Sequence, residues 1–227
     1  MEPMFTIDGY AISGNRSVFL GKVFSLFGLS LLFSLLGIYV GIQIVELYPW
    51  LFMSSVTYYS IFALELILIF TSRWWSQTRG LNYGLFLLFT VLSGFTAVPI
   101  LMLAHAYGGA WIIMKALGAT VALFAGIGIY GYVTKRDLAG IGGFLFISLI
   151  GIIIASLVNI FIQSTFFEYV LSWIVVIVFS GFTMYDIQMI KNRYTDTMYI
   201  QAALALYLDF FNLFINILFI LMGSSRK

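Results

Sequence analysis

The chain has 227 residues, 62% hydrophobic and 9% charged, with eleven Lys and Arg, nine Asp and Glu, one His and no Cys. A soluble domain carries roughly 25% charged residues, so too few charges are present to cover a surface that faces water. No basic cluster is long enough for a nucleic-acid interface, and without cysteine there is no disulfide, thiolate nucleophile or Cys metal site.

The charges are also unevenly placed. Runs 23–45, 47–64, 80–114, 116–134, 138–167, 169–185 and 210–225 hold none. About 20 apolar residues cross a bilayer as a helix. Lipid leaves helices or closed barrels as the only spanning structures, because every backbone N–H and C=O must be paired internally. Barrel strands alternate polar and apolar residues, whereas Leu31-Leu32-Phe33 and Ile152-Ile153-Ile154 do not. The expectation is therefore an all-α integral membrane protein, a single bundle of seven transmembrane helices over 1–227. The first apolar run lacks a compact basic start and a small-residue cleavage site, so no cleaved signal peptide is expected.

The first span is expected over 20–44 and carries Gly37 and Gly41 as GxxxG, either a dedicated dimer face or ordinary membrane-helix glycine. The second, 50–71, leads to a roughly common face of Ser54, Thr57, Glu65, Ser72 and Arg73. The third and fourth are expected over 81–103 and 111–133, the latter crowded with Gly126, Gly128 and Gly131. The fifth, 141–163, aligns Ser156, Asn159 and Gln163. The sixth, 168–190, aligns Thr183 with Asp186. On the seventh, 199–222, Ala202, Ala205, Asp209, Asn212 and Asn216 follow steps of three and four and share one face. A small or polar stripe on a membrane helix turns toward protein or water, which puts the seventh helix at the centre. Four polar faces directed to one interior fit a water-accessible path better than a dry bundle.

Orientation follows from Lys and Arg. Arg73 and Arg79, Lys135 and Arg136, and Lys191 and Arg193 follow the second, fourth and sixth spans, so these loops share the cytosolic side with the N-terminus, Arg16 and Lys22. The opposite loops show Glu46, His105 and Glu168. An odd helix number puts the C-terminus outside, against Arg226 and Lys227. Either the seventh helix is atypical or two charges are too few, and the second is preferred.

Glu65, Asp186 and Asp209 lie within apolar stretches, where a carboxylate costs roughly 2.5–3.5 kcal/mol at a helix centre and marks a functional candidate. A short loop makes the sixth and seventh helices antiparallel neighbours. If Asp186 and Asp209 reach the same depth, two carboxylates at close range cannot both ionise cheaply, and the pair titrates as a unit. Other chemistries lack their residues. A retinal lysine is missing between Lys191 and Lys227. His105 is the one histidine and has no serine motif, and zinc sites need more His or Cys. Tyr185-Asp186 is similar to the first intramembrane aspartyl protease motif, but Asp209 follows Tyr207-Leu208 rather than Gly-x-Gly. No enzyme activity is expected.

Four segments together resemble the Bax-inhibitor-type (transmembrane BAX inhibitor motif) family, close to its bacterial branch. They are Gly94-Phe95-Thr96-Ala97-Val98-Pro99-Ile100-Leu101, Thr134-Lys135-Arg136-Asp137 through Gly142-Gly143-Phe144-Leu145, Tyr185-Asp186, and Leu206-Tyr207-Leu208-Asp209-Phe210-Phe211-Asn212-Leu213-Phe214. Ile187 and Val98 depart from a common Thr and a common Ser. The resemblance implies a seven-helix fold with a central seventh helix, a pH-sensitive calcium leak, and Asp186 and Asp209 as the sensing pair. It further implies a basic latch near the cytosolic end of the second helix, Arg73 first and Arg79 second, and a path carboxylate at Glu65. The host is then the bacterial cytoplasmic membrane. Asp186, Asp209, Glu65, Asn212 and Asn216 supply the oxygens that a hard cation such as Ca²⁺ prefers. The leading expectation is a passive, proton-gated Ca²⁺ pathway needing no cofactor. Its rival is a non-conducting regulator of stress or survival that binds other membrane proteins.

Overall fold

The computed structural model describes residues 6–7, 10–11, 16–48, 55–78 and 80–224. Among them the chain forms seven α-helices: α1 Arg16–Leu47, α2 Ser55–Trp75, α3 Leu81–Thr96, α4 Val98–Val133, α5 Gly142–Ile162, α6 Thr165–Asn192 and α7 Tyr199–Ser224. A 3-10 turn, Ala139–Ile141, leads into α5. Near the N-terminus two residue pairs, Thr6 with Ala11 and Ile7 with Tyr10, form a short antiparallel ladder of β1 (Thr6–Ile7) and β2 (Tyr10–Ala11). Ser54, Arg79, Arg226 and Lys227 lie outside the described residues.

Five described helical runs are long and apolar enough to cross a bilayer: Arg16–Leu47, Leu81–Val133, Ala139–Ile162, Thr165–Asn192 and Tyr199–Ser224. The run Leu81–Val133 has 53 residues, about 80 Å of helix against a hydrocarbon core of about 30 Å. It is interrupted twice. Pro99 has no N–H to give the preceding turn, and α3 ends three residues before it. At Gly108 and Gly109 the backbone leaves helical geometry, and Gly109 has φ 62°, a conformation open chiefly to glycine. Exposure agrees with lipid as the solvent. Along α5 only Leu145 and Ile152 are buried, while Phe144, Phe146, Ile147, Ile154 and Phe161 are exposed. An apolar surface of that extent is unsuited to water.

The helices group into two units. One comprises Met1–Pro99 with Arg193–Tyr207, the other Ile100–Asn192 with Leu208–Lys227. In the first unit α1 and α3 meet backbone to backbone. A Cβ built on Gly37 would overlap the Val91 carbonyl, and one on Gly94 would overlap the Ser34 carbonyl. Gly41 faces Val98 and Phe95. The Gly37/Gly41 pair is thus occupied within the chain, as small residues commonly are where membrane helices approach closely. One end of this unit gathers the start of α1 and the segment before α7. Arg16 donates to the Tyr194 carbonyl at 2.7 Å, Lys22 sits 4.1 Å above the Tyr199 ring, and Asn82 Nδ2 lies 3.5 Å from the Tyr199 hydroxyl.

In the second unit α6 is seated through further glycines. Gly131 lies against the Met184 backbone, Gly142 against the Tyr185 ring and Gly181 against Leu145. Gln188 fixes the turn after α4: its Oε1 accepts from the Leu138 N–H and its Nε2 donates to the Arg136 carbonyl, both at 2.7 Å. Lys191 donates to the Tyr132 carbonyl at 2.7 Å. Asn159 and Ser164 organise the α5–α6 connection. Asn159 Oδ1 accepts from the Ser164 N–H, and Ser164 Oγ caps α6 by accepting from the Phe167 N–H.

The glycine contacts predict a contrast. Gly94→Ala should destabilise the protein by about 1–3 kcal/mol, because backbone must move to admit the methyl group. Gly84→Ala, whose Cβ meets nothing within 4 Å, should be neutral or stabilising by up to about 1 kcal/mol. Thermal unfolding of both variants in detergent checks this, and equal effects would contradict the packing.

Candidate functional site

The second unit brings Asp186 and Asp209 together. Asp186 is half-buried on α6, between Thr183 and Gln188 in sequence, and Asp209 is 2% exposed on α7. The two carboxyls lie within interacting range of each other, and the Thr183 side chain lies beside Asp209. Among the described residues Oδ2 of Asp209 is buried without a hydrogen-bond partner. A buried polar atom left unpartnered typically costs about 1–3 kcal/mol. Thr183 is fully buried and gives its own hydroxyl to the Phe179 carbonyl at 2.9 Å.

Asn212 and Asn216 continue the α7 face and are half-buried. Each turns its Nδ2 onto its own helix, Asn212 to the Leu208 carbonyl and Asn216 to the Asn212 carbonyl, both at 2.8 Å. Among the described residues no group of three or more His, Cys, Asp or Glu gathers in metal-binding array. A resident Ca²⁺ takes six to eight oxygens, so the Asp pair offers only part of a coordination shell.

Glu65 and Arg73 belong to the first unit. Arg73 is exposed in the last turn of α2. Glu65 is 7% exposed, and Thr96 Oγ1 lies 3.3 Å from each of its oxygens, with Ser93 also in reach. Beside them the fully buried Tyr207 bonds Ser34 Oγ at 2.7 Å, and Ser34 Oγ lies 3.0 Å from the Thr90 carbonyl. Ser34, Ser93, Thr96 and Tyr207 are site residues that the sequence alone does not single out, since hydroxyls are common in membrane helices. For Ser34 the available signal was its helical spacing with Gly37 and Gly41, for Ser93 and Thr96 their proximity to Gly94, and for Tyr207 its place two residues before Asp209.

The fifth-helix polar set is placed differently from expectation. Ser156 and Gln163 are exposed and the Asn159 side chain accepts from the Ser164 N–H in the connection to α6, so these residues, with Glu168, line a pocket at the α5–α6 connection. Helical spacing records a shared face but cannot tell an inward face from one that serves the adjoining turn.

Long apolar helices carrying buried carboxylates and glycine-mediated contacts define a multi-pass membrane protein. The family described as "Inhibitor of apoptosis-promoting Bax1" matches residues 16–227, and the chain belongs to this Bax-inhibitor-type family. An uncharacterized protein of Campylobacter jejuni is 39% identical over 216 residues, covering 95% of this chain and 92% of its own. An uncharacterized protein of Helicobacter pylori is 37% identical, over 88% of this chain and 84% of its own. Inner membrane protein YbhL of Escherichia coli is 38% identical over 72% of each chain.

Removing the Tyr207 hydroxyl tests the first-unit cluster. Tyr207→Phe should cost only about 0.6 kcal/mol, the average for hydrogen bonds between membrane helices, because Ser34 keeps its carbonyl partners. Tyr207→Ala should cost about 3–5 kcal/mol through the cavity it opens. Unfolding in mixed micelles separates the two, and a Phe variant as unstable as the Ala variant would show the hydroxyl to dominate.

Proposed function

We propose that this protein is a passive, pH-sensitive calcium leak in a bacterial cytoplasmic membrane, with Asp186 and Asp209 as its proton-sensing pair. The observation that carries this reading is a nearly inaccessible Asp209 beside Asp186 with one oxygen unpartnered. Two such carboxyls exchange protons as a unit, and their joint charge changes with the pH of the membrane's surroundings.

In this reading the chain crosses seven times: the glycine break at 108–109 divides the 53-residue run in two, and α2, Ser55–Trp75, adds a further crossing to the five apolar runs. The seventh helix is central, supported by buried Ile200, Ala203, Leu204, Leu206, Asp209, Phe210 and Leu213 on several of its sides. The N-terminus is cytoplasmic. Support comes from the cations each unit collects at one end, Arg16 and Lys22 by the Tyr194–Tyr199 segment, and Lys191 by the turn holding Lys135 and Arg136.

At neutral pH an ionised aspartate in apolar surroundings requires a cation, and Arg73 is the candidate latch, with Arg79 second. Protonation neutralises the carboxylate and removes the attraction that holds the latch. The second helix is then free to move, and Ca²⁺ passes Glu65, Asn212 and Asn216, whose oxygens suit a hard cation. Acid raises the flux, a sign taken from the family resemblance rather than from the geometry.

Purified protein in liposomes tests the leak. Ca²⁺ flux should rise from neutral to mildly acid pH. Asp209→Asn should bring the acid-to-neutral ratio to about 1, since an amide does not titrate, and Arg73→Ala should raise the neutral leak severalfold. Absence of flux at both pH values in all three proteins would refute the channel and favour a non-conducting regulator acting through membrane-protein partners.

Topology is tested separately. Cysteines at the exposed positions Gln77, Lys135 and Asn192 should resist an impermeant reagent applied outside intact cells and react after permeabilisation. Labelling of any two from outside would overturn the orientation. Ser76 is unsuited to this test because it is buried.

A further inference from the structure

Glu65 poses a chemical problem that the leak does not address. Its carboxyl is buried in the middle of α2, and among the described residues its neighbours are the hydroxyls of Ser93 and Thr96, with the titratable Tyr207 of α7 beside them. No lysine, arginine or backbone N–H among those neighbours balances a charge there. Ser34 of α1 completes the group through Tyr207.

The hydroxyl protons have competing acceptors. Ser93 Oγ lies 3.0 Å from the Phe89 carbonyl. Thr96 Oγ1 lies 3.1 Å from the Ser93 carbonyl and 3.3 Å from each oxygen of Glu65. Ser34 Oγ reaches the carbonyls of Ser30 and Thr90 at 3.1 and 3.0 Å. A hydroxyl has one proton to give and two lone pairs to offer. When Glu65 is ionised, Ser93 and Thr96 can turn their protons from the carbonyls to the carboxylate. When Glu65 holds a proton, it donates to a hydroxyl oxygen and the hydroxyls return their own protons to the carbonyls. Both arrangements leave the cluster bonded, and passing between them takes one proton gained or lost by Glu65, with bond rotations of the hydroxyls around it.

We propose that Glu65 is a proton-binding site separate from the aspartate pair, with Ser93 and Thr96 as rotating partners that accommodate the carboxyl in both protonation states and Tyr207 as the neighbour that holds Ser93 and Ser34 in the cluster. The ligand is the proton itself. The site does not require that the protein conduct, and it adds to Glu65 a function other than lining a cation path.

Infrared difference spectroscopy on the full-length protein in lipid tests the proposal, with acid-minus-neutral spectra recorded in the Asp186→Asn, Asp209→Asn background. A protonated-carboxyl stretch should appear on acidification, vanish in Glu65→Gln, and shift in frequency in Thr96→Val and Tyr207→Phe. If Glu65→Gln does not fold, the Thr96→Val and Tyr207→Phe shifts decide. Spectra without a Glu65-dependent stretch, or a stretch that neither partner variant moves, would overturn the site. A titrating Glu65 in a protein that passes no Ca²⁺ would leave the site standing while the leak falls. Proton-gated flux without a Glu65 band would do the reverse.

Discussion

The contact on which the first unit depends is the approach of two helix backbones at Gly37 and Gly94. Side chains at those positions would hold α1 and α3 apart, whereas glycine lets the Ser34 carbonyl come against Gly94 and the Val91 carbonyl against Gly37. In lipid no hydrophobic force draws helices together, so close van der Waals packing has to supply much of the association. The same approach brings polar groups into register. Ser34 is carried to the Thr90 carbonyl and the Tyr207 hydroxyl, and the residues flanking Gly94, Ser93 and Thr96, face Glu65. A packing requirement and a hydrogen-bonding requirement are met by one short stretch of α3.

The second unit solves a similar problem with a different balance. Glycines at 131, 142 and 181 seat α6, and the Gln188 side chain closes the turn between α4 and α5 by serving a donor and an acceptor together. Asp186 lies between these two anchors. Its backbone position is therefore held from both directions along the helix, while Asp209 opposite retains, among the described residues, an unpartnered oxygen. A rigid support beneath one carboxyl and an incomplete shell around the other is the kind of local imbalance that protein interiors otherwise avoid.

Much of this was legible in the sequence because lipid imposes long, simple constraints. Helices appear where uncharged runs reach spanning length, and α7 begins at the expected Tyr199. Asp186 and Asp209 stood out because a charge in an apolar run has no ordinary explanation, and their neighbouring placement followed from a short loop. What stayed hidden depends on partners. Ser34 and Tyr207 are unremarkable until the α1–α3 contact sets their positions. Asn159 reads as an inward polar residue but accepts from the Ser164 N–H in the turn that follows its helix. The break at Ala97, between α3 and α4, reflects Pro99 acting one turn earlier than a span boundary drawn from hydropathy suggests. The GxxxG of α1 states that a close approach occurs, without naming the partner helix.

The first unit takes its last fifteen residues, Arg193–Tyr207, from near the end of the chain. Synthesis therefore delivers α1, α2 and α3 to the membrane long before Tyr207 exists. For that interval Ser34 lacks its tyrosine, and Glu65 sits in a half-built hydroxyl cluster. Nascent chains must hold these groups against water, lipid headgroups or the insertion machinery until the last helix arrives. A ribosome that stalls before residue 207 leaves an apolar polypeptide with an unfinished polar seam.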